Sequence, residues 1–138
     1  MQSEIILNIL IVIAGIILCI QDLMRQLVSL STLLIFAFSC CSKFFFGHIP
    51  CYGPLMIMVI IGIISHFTQK RMAFGFADYV VTFAVSFIVS FENWYIFLIL
   101  CGGFGMLTGF VRKSHRTEHI PFIPAILLST LLTTLIFG

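Results

Sequence analysis

Charge is so sparse in this chain that the few charged residues cut it into long apolar runs, and those runs constrain the fold more than any other feature. Only 7 Lys and Arg and 5 Asp and Glu occur in 138 residues. Together with glycines and prolines they punctuate six apolar segments, residues 5–20, 27–46, 49–67, 72–91, 94–111 and 120–137. Each is near the length of about 20 residues that a membrane-crossing helix needs. The shorter ones predict thin or tilted spans. The chain is 61% hydrophobic and 9% charged, with a mean hydropathy of +1.21. A soluble domain of this size needs far more polar surface. The expectation is therefore an all-α membrane protein: a single domain over 1–138, built as a polytopic bundle of about six transmembrane helices.

The start, Met1-Gln2-Ser3-Glu4, lacks the basic stretch of a secretory signal, so the first run is expected to be a permanent span. With six spans, Arg25, Lys70, Arg71, Arg112, Lys113 and Arg116 fall on one side and Lys43 alone on the other. The positive-inside bias then puts the basic loops in the cytoplasm and both termini outside. Trp94 and Tyr95 make an outer interfacial anchor. The second and third segments are less sharply bounded. Lys43 is expected either to sit inside the second span or to snorkel to the interface and end it near Cys41. In the latter case residues 44–54 form an interfacial or re-entrant loop. Pro54, Pro121 and Pro124 fall near segment starts, where a missing N–H costs little.

Five cysteines, Cys19, Cys40, Cys41, Cys51 and Cys101, contain no C-x-x-C pair. They read as small apolar residues, and no metal site or cofactor is expected. Gly102, Gly103, Gly105 and Gly109 fall within one span, where glycines let helix backbones approach. A nucleotide-binding role for them lacks the preceding strand. The expected partners are the lipid bilayer and a protein substrate, with no nucleic acid.

The chain has two aspartates, Asp22 and Asp78. Asp22 closes the first span at its cytoplasmic end. Asp78 is expected about two turns into the fourth span, on the order of 10 Å deep at 1.5 Å per residue. An acid inside a span is costly and usually faces a polar cavity with work to do. Two carboxyl groups in one wet pocket can share a proton. One then activates a water as general base while the other protonates the scissile carbonyl oxygen. That is aspartic protease chemistry. Two other readings stay open: a small proton-coupled transporter with Asp78 as carrier, and a non-catalytic membrane component of a pilus or secretion machine.

The surroundings of the aspartates carry a resemblance. Gly75-Phe76-Ala77-Asp78 resembles the G-x-G-D motif of intramembrane aspartyl proteases. Asp22-Leu23-Met24-Arg25-Gln26-Leu27-Val28-Ser29 resembles the first aspartate motif of the type IV prepilin peptidases. Ile120-Pro121-Phe122-Ile123-Pro124 resembles the opening of that family's last span. The order and spacing agree across nearly the whole chain. Ala77 stands in place of the second motif glycine, Val80 in place of a frequent lysine, and Leu30 in place of a frequent asparagine. Alanine there disfavours a positive φ. The resemblance implies Asp22 and Asp78 as catalytic residues, with Gly75, Ala77, Pro121 and Pro124 as motif support. It also implies a bacterial inner-membrane endopeptidase that removes the short basic leader of a prepilin-like precursor at the cytoplasmic face. The cysteine-bearing domain linked to N-methylation in larger members has no counterpart here, so proteolysis without methyl transfer is expected. Glu118 is a candidate to attract the basic leader.

Overall fold

A computed structural model describes residues 1–25, 27–69, 75–113 and 122–137. Among these the chain forms six α-helices and no strand. They are α1 (Gln2–Arg25), α2 (Leu30–Cys41), α3 (Gly53–Gln69), α4 (Phe76–Val85), α5 (Trp94–Lys113) and α6 (Ile123–Phe137), with a 3-10 turn at Ser42–Phe46. Each helix falls on one of the six apolar segments. By length and composition α1 can cross a membrane, with 23 suitable residues over Gln2–Met24. The other apolar helical stretches run 10–17 residues.

Specific contacts fix the helix directions. Asp22 near the end of α1 meets Ile123 at the start of α6. Gln21 meets Ser29 and Thr32 at the start of α2. The Cys51 N–H, just before α3, donates to the Ser86 carbonyl just after α4 (2.8 Å), and the Phe122 ring lies over Gly105 in the later half of α5. The helices thus alternate up and down. One end of the bundle, called the base here, gathers the end of α1 and the starts of α2, α4 and α6. The opposite end gathers Glu4, Lys43, His48 and Trp94.

The core is a layer of Leu18, Leu33, Phe36, Val81, Val85, Phe97, Ile123 and Ile126. Helices α2 and α6 each pack against both α1 and α4. The outer faces are apolar: Ile9, Ile13 and Ile16 of α1 and Ile60, Ile61 and Ile64 of α3 are among the exposed side chains. Hydroxyls lie inside, with Ser86, Ser129 and Thr133 buried. Ser129, Thr130 and Thr133 each donate to a carbonyl four residues back in α6. A polar side chain satisfied by its own helix needs no water.

Two sequence expectations meet the structure here. Of the two placements open for Lys43, the one that ends the second span near Cys41 is found: α2 ends there, and the lysine, 7% exposed, pairs with Glu4 at 3.7 Å. The 3-10 turn stops at Gly47, whose φ of +86° is a left-handed conformation open to glycine. The segment that follows is an extended connection rather than a second helical span. Helix α4 is the other case. It covers 10 residues, about 15 Å at 1.5 Å per residue, and not the whole of residues 72–91. Beyond it the backbone tightens into turns, Phe87 N–H to Ala84 and Ile88 N–H to Val85. Ser86 reinforces the stop by donating its hydroxyl to the Phe83 carbonyl.

The α5–α6 contact is close at one glycine. A Cβ at Gly105 would stand 2.7 Å from the Phe122 ring, whereas one at Gly103 would meet nothing within 4 Å. Gly105→Ala is expected to lower unfolding stability in detergent by about 1–3 kcal/mol through overpacking. Gly103→Ala is expected to be neutral or to stabilise by up to about 1 kcal/mol. Equal effects would mean that the two helices do not meet there.

Candidate active site

The base of the bundle is built from helix termini. Asp22 lies in the last turn of α1 and is buried at 9% exposure. Its Oδ2 accepts the Ile123 N–H at 3.2 Å, across 101 residues of sequence. Ile123 is the first residue of α6, so its N–H is one of those a helix start leaves without an internal partner. The carboxylate fills that need and sits at the positive end of the helix dipole. Pro124 follows in the first turn, where its missing N–H is not called on. The expected tolerance of proline at this start is met, but Pro124 lines a lateral groove between α1 and α6.

Beside Asp22, the side-chain oxygen of Gln21 accepts the Ser29 N–H at 3.1 Å. Ser29 is the N-cap of α2, its hydroxyl accepting from the Thr32 N–H at 3.4 Å and lying 2.6 Å from the Thr32 hydroxyl. This network closes the α1–α2 hairpin and holds the last turn of α1. Sequence reasoning passed over Gln21. The available signal was an uncharged polar residue beside Asp22, at the end of an apolar run.

Asp78 lies in the first turn of α4 and is half-buried. The expected depth of two turns is therefore corrected: the helix begins at Phe76, three residues before Tyr79, so the aspartate marks its start. Its Oδ2 accepts the Gly75 N–H at 3.0 Å, the returning half of a capping box. Gly75 is extended, with φ −76° and ψ 165°, a conformation any residue adopts. Ala77 stands inside the helix, where φ is negative. The position therefore calls for no left-handed backbone, and alanine in place of the motif glycine brings no conformational penalty. Ala77 packs against the core.

Both aspartates thus belong to the base, each bonded to backbone N–H groups at a helix start. They belong to helices bridged by α6 and α2. A path of contacts runs from Asp22 to Ile123 and, through the adjoining Phe122, to Gly105 of α5. Tyr79 leans the other way, its hydroxyl resting on Gly62 of α3. Pro121 and Glu118 lie outside the described residues. Among the described residues no group of three His, Cys, Asp or Glu side chains is placed to hold a metal. No protein-family model, curated protein or solved structure matches this chain.

The hairpin network makes its own prediction. Ser29→Ala removes the N-cap of α2 and should cost about 1 kcal/mol. Gln21→Ala, which leaves the Ser29 N–H without its acceptor, should cost a similar amount, about 1 kcal/mol. The double variant should lose clearly less than the sum, because both side chains serve one contact. Full additivity in unfolding experiments would place Gln21 and Ser29 in separate environments.

Proposed function

We propose that this protein is a multi-pass membrane aspartic endopeptidase that removes the short basic leader of type IV prepilin-like precursors. The observation that carries the reading is the pair of aspartates at one end of the bundle, each at a helix terminus. They are the chain's only two aspartates. Their local sequences are the ones that resemble the prepilin peptidase motifs. The inverted polarity of the fold supports the membrane part of the reading: isoleucines cover α1 and α3, while Lys43, Asp22, Ser86 and Ser129 are buried. A contiguous apolar surface of this kind calls for an apolar surrounding. The longest helix fits a bilayer alone, and the shorter ones require a thinned bilayer or tilted packing.

In this reading the base faces the cytoplasm, where Arg25, Lys70, Arg71, Arg112, Lys113 and Arg116 gather by the positive-inside bias. Both chain ends face outward, in the inner membrane of a bacterium. The leader approaches from the cytoplasm with an apolar helix behind it. One aspartate, ionised, takes a proton from a water whose oxygen attacks the scissile carbonyl carbon. The other, protonated, gives its proton to the carbonyl oxygen. Collapse of the tetrahedral intermediate breaks the C–N bond: the first aspartate gives the proton it took from water to the leaving amine, and the second takes back a proton from the gem-diol hydroxyl. No metal or cofactor takes part. The hydrogen bonds to Ile123 and Gly75 hold each carboxylate at a helix start until substrate arrives, and such sites tighten on binding.

The test is co-expression with a prepilin-like precursor, read as loss of the leader on a gel. Asp22→Asn and Asp78→Asn should each lower cleavage by at least about 100-fold, the scale of general acid–base catalysis, while the protein still inserts. Normal processing by either variant overturns the assignment.

A further inference from the structure

Helices α1 and α6 diverge to leave a lateral groove of about 930 Å³. Its polarity changes along its length. Near the end opposite the base it is lined by Asn8, Lys43, His48 and Thr133. Toward the base its walls are apolar, with Gly15 and Leu127 facing each other. Among the described residues no acidic side chain lines it. Glu4, the carboxylate shared by Lys43 and His48 at 3.7 Å each, stands outside the groove wall. Lys43 is thus ion-paired on its Glu4 side, and among the described residues the groove wall beside Lys43 and His48 carries no carboxylate.

We infer that this groove holds an anionic phospholipid, with its phosphate headgroup at Lys43 and His48 and an acyl chain laid toward Gly15 and Leu127. The size fits. The twelve helical steps of α1 from Asn8 to Ile20 give a groove about 18 Å long at 1.5 Å per residue. Its volume lies within the range of about 300–1,000 Å³ that suits small-molecule ligands. A docked apolar helix offers no anionic head for the basic pair. A carboxylate or phosphate would satisfy the same two groups. The long apolar wall, open to the side, selects the bilayer lipid as the source. The inference rests on the membrane placement proposed above but not on catalysis by the aspartates.

The experiment reconstitutes the full chain in nanodiscs of equal phosphatidylglycerol and phosphatidylcholine, releases it into mild detergent and counts the retained lipid by native mass spectrometry. Phosphatidylglycerol should be retained about tenfold over phosphatidylcholine, the scale expected of one or two basic groups. Lys43→Gln combined with His48→Gln should abolish that preference. Gly15→Ala should retain lipid, because its Cβ would meet Phe36 and Leu127 at 3.6 and 3.7 Å, ordinary contact distances. Gly15→Phe should expel lipid by filling the groove, while circular dichroism still reports native helix. The Gly15 pair decides the matter if the double variant does not fold. Asp78→Asn should leave retention unchanged, which separates this inference from the protease reading. Equal retention of the two lipids, retention undiminished in Gly15→Phe, or a second copy of the chain in place of lipid would overturn it.

Discussion

A hydrogen bond ties the first helix to the last. The Asp22 carboxylate at the end of α1 accepts the N–H that opens α6, joining residues 22 and 123. A buried charge is tolerated when hydrogen-bonded donors receive it, and a helix start supplies such a donor together with a favourable dipole. Because α6 also packs against α4 and α5, whatever positions α6 positions the base of the bundle. Asp78 opens α4 at that same end. Asp22 thus has a structural task whatever chemistry it performs, and a protease reading must let one carboxylate serve both as a helix cap and as a catalytic group. The two roles are compatible for Asp22 as the general base, because both then use an ionised oxygen that accepts hydrogen bonds, with Asp78 carrying the proton.

The same principle governs the rest of the fold. Outside, the helices are sheathed in isoleucine, leucine and phenylalanine. Inside, polar side chains are satisfied by backbone: α6 hydroxyls by their own helix, and the Asp22 and Asp78 carboxylates by the N–H groups of Ile123 and Gly75. Among the described residues every buried side-chain nitrogen and oxygen has a partner. This arrangement suits an apolar solvent, in which an unmet polar group is most costly. The short α4 follows the same rule. Once Ser86 turns the chain, the Ser86 carbonyl is taken up by the Cys51 N–H, so the early stop leaves that carbonyl with a partner.

Much of this was legible in the sequence, and the rest was not, for definite reasons. The six apolar runs gave the six helices because charge, glycine and proline mark helix ends by local chemistry. The role of proline at the start of α6 followed from the same local rules. The depth of Asp78 was misjudged because α4 starts only after Gly75, and the length of α4 because apolarity alone cannot distinguish a helix from the turns and extended segments that continue it. Residues 86–91 are as greasy as α4 itself. For Lys43 the sequence left two placements open, inside the second span or at the interface. Its partner, Glu4, is 39 positions away, and only the packing of α1 beside the 3-10 turn brings them together. The bond from Asp22 to Ile123 was invisible for the same reason. The motif resemblance picked out the two aspartates but not Gln21 and Ser29, whose roles depend on how the α1–α2 hairpin closes.

The most direct test of the account is the exchange behaviour of one backbone amide. In protein labelled at isoleucine and reconstituted in detergent, the Ile123 N–H should be strongly protected from solvent exchange. Asp22→Ala should release it, while amides in the middle of α6, such as Ser129, remain protected. A freely exchanging Ile123 amide in the unaltered protein, or protection indifferent to the loss of the carboxylate, would contradict the claim that the first aspartate holds the two ends of the fold together.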